Sequence, residues 1–252
     1  MTEFEIDSEY KLILNADTKL WDVYQDGNAL SHSTEKLYKF YNLTIENLDA
    51  LLNHYLYLAN PSDFNDPFDC NLNLVEDMDK KDWKGEIRRN NISNIGVCSF
   101  SEIIDDPVMW AHYTTNYYGF ALQFKGTKLD TYLDKERFTR NTLTRVIYPD
   151  KPKKILHNYP FAQHYVFTTK FKRWSYEKEW RIICELLTKE RKIIYTTDSV
   201  EAIFIGHKIP DRNPSGYSLL LQIQELAFPH LPVYVVYPDP DNLSLKFEKV
   251  WN

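Results

Sequence analysis

Glu177 and Glu179 stand two residues apart in the segment Lys170–Cys184, KFKRWSYEKEWRIIC. Paired carboxylates with an arginine beside them can divide acid–base work or stabilise a developing positive charge. Trp180-Arg181-Ile182-Ile183-Cys184 is β-prone and contains no breaker. Side chains alternate faces on a strand, so Glu177, Glu179 and Arg181 are expected on one face and Trp180, Ile182 and Cys184 on the other. On a helix the same residues would make Glu177–Arg181 an i,i+4 ion pair on a solvated face, worth only ~0.2–0.5 kcal/mol. The run of Trp, Ile and Ile, with Trp174 and Tyr176 before the glutamates, favours the strand.

Other segments carry polar groups that packing alone does not require. Phe64-Asn65-Asp66-Pro67-Phe68-Asp69 is dense in turn formers. Asn65 and Asp66 can bond to neighbouring amides there, or the loop can present Asp66 or Asp69 to a ligand. In Met109-Trp110-Ala111-His112-Tyr113, Trp110 and Tyr113 could stack on a base or nicotinamide ring while His112 supplies a donor. A lone histidine beside aromatics is more often structural. Ser99 and Ser101 are expected on one strand face, opposite Cys98 and Phe100, where small polar groups can line a nucleotide cleft. Lys170, Lys172 and Arg173 beside Phe171 and Trp174 suit phosphate contact and base stacking, or a solvated face above a buried tryptophan. Asp66, Asp69, Glu177 and Glu179 could offer oxygens to Mg²⁺, but HExxH, CxxC, GxSxG and Walker-type patterns are all missing.

The elements that must position these groups read as α+β: mixed, mostly antiparallel short strands with a few flanking helices. Strands are expected at 37–41, 55–58, 96–101, 119–124, 145–148, 180–184, 192–195, 200–206, 233–237 and 245–251. A helix capped by Thr44 carries Leu48, Leu51, Leu52 and Tyr55 at helical spacing. A short one begins at Pro107, and Asp77–Asn94 reads as a helix plus loop. The clearest helix is Ser215–Phe228, with Leu219, Leu220, Ile223, Leu226 and Ala227 as its apolar stripe. Lys128–Arg140 is mixed and polar, and 150–168 is a linker or helix. Residues 1–36 read as an N-terminal extension with one or two short elements, from which Leu12, Leu14, Leu20, Trp21 and Tyr24 could pack on the body. Residues 37–252 read as a single domain.

Composition narrows the function classes. The 43% hydrophobic content supports a real core, and only 7 glycines argue against a glycine-rich nucleotide loop. A net charge of −6 means that a nucleic-acid partner would need a local basic patch. Cys70, Cys98 and Cys184 are widely spaced and read as buried thiols in a reducing compartment. The acidic N-terminus and the lack of an apolar run near ~20 residues point to a cytoplasmic protein without a membrane partner.

Together, Leu37-Tyr38-Lys39-Phe40, Tyr57-Leu58 through Asp69, Cys98-Ser99-Phe100-Ser101, Met109–Tyr113 with Gly119-Phe120, and Lys170 and Trp174 through Ile182 resemble the bacterial family catalogued as domain of unknown function 2971. The resemblance covers about Leu37 to Ile209. More distantly, the order of Tyr38-Lys39, Ser99-Phe100-Ser101 and Glu177-Lys178-Glu179 resembles that of ADP-ribosyltransferases, without the first-strand Arg or His of that group. This second resemblance implies an ADP-ribosyltransferase-like arrangement and NAD as substrate, with no metal. It implies Glu179 as the stabiliser of the ribosyl cation, with Glu177 and His112 as further catalytic groups. Tyr38, Lys39, Asn65, Asp66, Ser99, Ser101, Trp110, Tyr113, Lys170 and Arg181 would then hold the nucleotide, with Lys170 or Arg181 on the pyrophosphate. The acceptor would be a protein or a nucleic acid, and the setting that of a bacterial toxin or anti-phage defence effector. Two alternatives stay open. One is a nuclease, using either Mg²⁺ on Asp66, Asp69, Glu177 and Glu179, or His112, Tyr113 and Arg181 without metal. The other is a non-enzymatic nucleotide- or protein-binding module.

Overall fold

The computed structural model describes residues 2–17, 21–76, 94–129, 138–156 and 158–251. The helix plus loop expected over 77–94 lies, but for Asn94, outside these residues, as do Leu20 and much of the polar stretch 128–140.

The N-terminal stretch carries more structure than its polar composition suggests. Strands β1 (Glu3–Glu5), β2 (Tyr10–Leu14), β3 (Trp21–Gln25) and β4 (Asn28–Ala29) form a four-stranded antiparallel sheet. Next come β5 (Lys36–Asn42), helix α1 (Ile45–Leu52), β6 (Tyr55–Tyr57), β7 (Val75–Glu76), β8 (Ile95–Ser101), helix α2 (Pro107–Tyr113), β9 (Gly119–Lys125) and β10 (Phe138–Arg145). The chain continues with β11 (Ile155–Leu156), helix α3 (Ala162–Thr168), β12 (Glu179–Leu186), β13 (Lys192–Ile194) and β14 (Val200–Gly206). Helix α4 (Pro214–Ala227), β15 (Val233–Asp239) and β16 (Ser244–Trp251) close it.

Eight strands make the main sheet in the order β10-β12-β8-β5-β9-β14-β15-β16. Every pairing in it is antiparallel except β14 with β15. The ladder is uneven. β5 pairs with β9 from Lys36↔Lys125 to Asn42↔Gly119, but with β8 only at Tyr38↔Ser101. The strands therefore diverge along that seam, and the cavity described below opens there.

Alternation on β12 explains the layering. Trp180, Ile182 and Cys184 are fully buried in a core that also takes Cys98, Phe100, Phe120, Phe124 and Ile203. On the other face of β8 and β12, Val97 joins a second core with Tyr165, Val166 and Phe167 from α3, to which Ile6, Tyr10 and Leu12 from the N-terminal stretch also belong. A third cluster around Trp110, Tyr117, Ala121 and Phe204 lies beneath α2.

Helix α2 starts at Asp106, whose carboxylate accepts the N–H groups of Val108 and Met109. It ends in three successive left-handed residues, Thr115, Asn116 and Tyr117 (φ 49°, 57° and 68°). The N–H of Asn116 donates to the Ala111 carbonyl at 3.0 Å, and the Thr115 hydroxyl to Asn42 Oδ1 at 2.7 Å. Gly119 follows because a Cβ there would lie 2.1 Å from the Tyr41 carbonyl oxygen. Two expectations need correction. Leu219 and Leu226 are exposed, since α4 turns Leu220, Ile223 and Ala227 inward and caps Phe228 O with the Gln224 amide at 2.8 Å. The strand expected at 145–148 ends at Arg145, after which Ile147 only bridges to Thr169.

Candidate functional site

Three remote segments meet at the seam. Tyr38 and Lys39 come from β5, Ser99 and Ser101 from β8, and Glu179 from the first position of β12. Together with Glu177, Lys170, Asn65, Asp69 and Tyr113 they line a cavity of about 200 Å³. Its apolar wall is Phe40, Phe64, Phe100 and Met109. Drug-sized ligands fill roughly 300–1,000 Å³, so this space suits one ring and a sugar, not a whole dinucleotide.

Glu177 is not on the strand. It ends a 3₁₀ helix, Lys172–Glu177, and Lys178 turns the chain in a left-handed conformation (φ 41°) into β12. The turn still delivers both carboxylates to one place. Lys170 Nζ donates to Glu177 Oε2 at 2.6 Å and to Glu179 Oε2 at 3.0 Å, and lies 3.7 Å from Asp69 Oδ2. The Ser101 hydroxyl donates to the Glu177 carbonyl at 2.6 Å, fixing the turn from β8. Tyr113 donates to Glu177 Oε1 at 2.5 Å. Tyr148 Oη accepts the Glu179 N–H at 2.8 Å.

Arg181 stands behind this group and has no exposed surface. Its Nε donates to Glu179 Oε1 at 2.8 Å, and Nη2 to Asp69 Oδ2 at 2.6 Å and Glu179 Oε2 at 3.1 Å. Nη1 donates to Asp69 Oδ1 and the Phe167 carbonyl, both at 2.8 Å. Three carboxylates (Asp69, Glu177, Glu179) thus face two cations (Lys170, Arg181), leaving one excess negative charge in a buried site.

That imbalance separates the two glutamates. Burial disfavours the ionised form of both. At Glu179, Arg181 and Lys170 outweigh it and hold the pKa down at about 2. At Glu177, burial and the neighbouring Glu179 charge prevail over Lys170 and Tyr113 and push the pKa up. Burial works against the Lys170 ammonium, but Glu179 and Glu177 keep it charged. Environments that drive two carboxyls apart in this way are a recurring mark of acid–base assignment.

The remaining site residues named from sequence fall elsewhere. Trp110 is fully buried, donates its indole N–H to the Ile104 carbonyl at 2.7 Å, and packs against Phe40 and Tyr117. It is core and has no face free for stacking. His112 is exposed outside the cavity lining, 3.2 Å from the Tyr176 hydroxyl through Nδ1 and beside Trp174. Asp66 is buried beside the cavity and does not line it, its Oδ1 accepting the Phe68 N–H at 2.9 Å. Arg181 supports the wall from behind and leaves no N–H for a phosphate. Sequence reasoning passed over Tyr148, which no motif marks, and left Asp69 among candidate metal ligands when its partners are Arg181 and Lys170. Among the described residues no group of three or more His, Cys, Asp and Glu side chains is arranged to hold a metal ion.

Residues 109–182 match the family model described as "Protein of unknown function (DUF2971)". The matched stretch runs from Met109 on α2 to Ile182 on β12 and so includes Tyr113, Lys170, Glu177, Glu179 and Arg181. Neither a curated protein nor a solved structure matches the chain. No helix among the described residues is long and apolar enough to cross a membrane.

Proposed function

We propose that the cavity receives the nicotinamide–ribose end of NAD and cleaves the bond between them, which would make the protein an NAD-dependent ADP-ribosyltransferase or NAD glycohydrolase. One observation carries this reading. The three segments that resemble ADP-ribosyltransferase motifs occupy or lead into adjacent strands, β5, β8 and β12, and contribute residues to the lining of one cavity with an ionised glutamate in its wall.

The chemistry follows from the charges. Nicotinamide departs as a neutral molecule with the pair of electrons of the glycosidic bond, and the ribosyl carbon acquires oxocarbenium character. Glu179, fixed by three hydrogen bonds to its carboxylate, faces that charge without needing to reorganise. The attacking water or acceptor must lose a proton, and Glu177, with its raised affinity for one, can take it. Lys39 suits the phosphates better than Lys170 or Arg181. Its ammonium donates to the Ser99 carbonyl at 3.3 Å and lies over the Tyr41 and Phe100 rings, and among the described residues no carboxylate pairs with it. A cavity of this size leaves the adenosine half outside. An Mg²⁺-dependent nuclease is less well supported, because Asp69, Glu177 and Glu179 already converge on Lys170 and Asp66 is not in the lining. An enzyme that consumes NAD or modifies host molecules would serve as a toxin or anti-phage effector.

The test is nicotinamide release from NAD⁺ by purified protein, with and without cell lysate. Release that depends on lysate indicates a transferase, and release without it a hydrolase. Undiminished release by folded Glu179→Gln would remove this mechanism.

A further inference from the structure

Lys170 was expected to bind phosphate, but its surroundings assign it other work. Its ammonium has three N–H groups and three carboxylates around it: Glu177 at 2.6 Å, Glu179 at 3.0 Å and Asp69 at 3.7 Å. These come from the 3₁₀ helix, β12 and the turn before β7. The Trp174 ring covers the ammonium at 5.0 Å, and the backbone N–H of Lys170 is tied to the Ile147 carbonyl at 3.0 Å. Glu177 and Glu179 take two of its N–H groups, and the Asp69 carboxylate stands within ion-pair range. A tetrahedral point charge can meet carboxylates from three directions, which a planar guanidinium cannot.

We propose that Lys170 is a positioning residue, which fixes the spacing of the Glu177 and Glu179 carboxylates and keeps both able to ionise, and which does not bind the substrate. This rests on the reading of the cavity as an NAD-cleaving site. Among the described residues, the titratable groups that also face these glutamates are Asp69, Cys70, Tyr113, Tyr148, Tyr176 and Arg181. Of these, only Arg181 is cationic, and it reaches Glu179 and Asp69 and not Glu177. Glu177 therefore depends on Lys170 for its positive partner.

The experiment compares wild type, Lys170→Met and Lys170→Arg in two ways. ¹³C NMR titration of the glutamate carboxyls needs no turnover. In Lys170→Met the Glu177 carboxyl should titrate roughly 1–3 pH units higher, as expected for loss of a cation in contact, and in Lys170→Arg much closer to wild type. The acidic limb of the pH–rate profile for nicotinamide release should move with it, while KM for NAD stays close to wild type. An unmoved titration in folded Lys170→Met, or a raised KM with an unmoved limb, would overturn the proposal, the second pointing to phosphate binding. If Lys170→Met does not fold, Lys170→Met/Glu177→Gln restores the charge of the cluster and should melt near wild type. Failure of the double variant to recover counts against the proposal too. Lack of NAD turnover by wild type would remove the functional reading, yet the NMR titration would still decide the role of Lys170.

Discussion

Arg181→Met should be the most damaging single change in the charged cluster. The guanidinium has no exposed surface, and each of its N–H groups is engaged. Without it, Asp69 and Glu179, whose side chains are each 5% exposed, keep only Lys170. Removing one partner of a buried ion pair costs roughly 3–5 kcal/mol, because the other charge stays buried. Methionine refills much of the volume, so most of the loss is electrostatic. In a chain of this length 1 kcal/mol shifts the melting temperature by roughly 2–4 °C, which puts the expected fall at ~6–20 °C at pH 7. Calorimetry supplies the measurement, and acid supplies a second check on the cause. The folded pKa of Glu179 is held at about 2 against an ordinary 4.5, with Arg181 and Lys170 overcoming burial. A depressed carboxyl pKa contributes stability that is complete above the ordinary value and is lost as pH falls towards the folded one, here roughly 3 kcal/mol. Arg181→Met lacks much of that contribution, so its deficit should shrink between pH 4.5 and about 2. A fall of less than about 1 kcal/mol at pH 7, or a deficit that stays constant into acid, would refute the picture of a dry, mutually dependent cluster.

The two glutamates should respond differently to neutralisation. Glu177 has a raised folded pKa, so its ionisation removes stability as pH rises through that value. Glu177→Gln should therefore melt at or above wild type at pH 7, whereas Glu179→Gln should melt below it, as thermal unfolding will show. Trp110→Ala should cost roughly 3–5 kcal/mol in urea unfolding, as a buried aromatic in a core does, and would report on folding and not on ligand contact. Gly119→Ala drives a methyl group against the Tyr41 carbonyl and should separate β5 from β9, whereas Gly27→Ala has open space (φ 80°) and should suffer only left-handed strain of about 1 kcal/mol; comparing their melting temperatures checks the order. His112→Ala, outside the cavity lining, should leave nicotinamide release unchanged.

Much of the site could be read from alternation alone. Trp180, Ile182 and Cys184 had to share a face once the segment was a strand, and Cys98 with Phe100 followed the same rule. Helix α4 was legible for similar reasons, although Leu219 and Leu226 show that apolar type does not fix orientation when Gln224 is needed inside to cap Phe228. Glu177 was placed correctly in space for an incorrect local reason, because a left-handed Lys178 gives no signal in the sequence. Trp110 and Arg181 were misjudged alike. Aromatic and cationic side chains serve ligands and cores equally well, and only the Ile104 carbonyl in the loop before α2 and the Asp69 carboxylate, distant in sequence, decide which. The N-terminal sheet was missed because short strands made of charged and apolar residues look like a polar tail until Phe161, Tyr165 and their neighbours supply a surface.

The single register pair between β5 and β8 has a mechanical meaning. The main sheet behaves as two panels stitched at one point, Tyr38↔Ser101, with the Lys39 ammonium reaching the Ser99 carbonyl as a side-chain thread across the gap. Along the rest of the seam the cohesion of the protein comes from packing and not from the backbone ladder. A molecule that fills the gap and touches Tyr38 on one panel and Ser99 on the other would act as mortar. It would raise the energy needed to part the panels, and amide exchange along β5 and β8 would slow in proportion to how fully it sets.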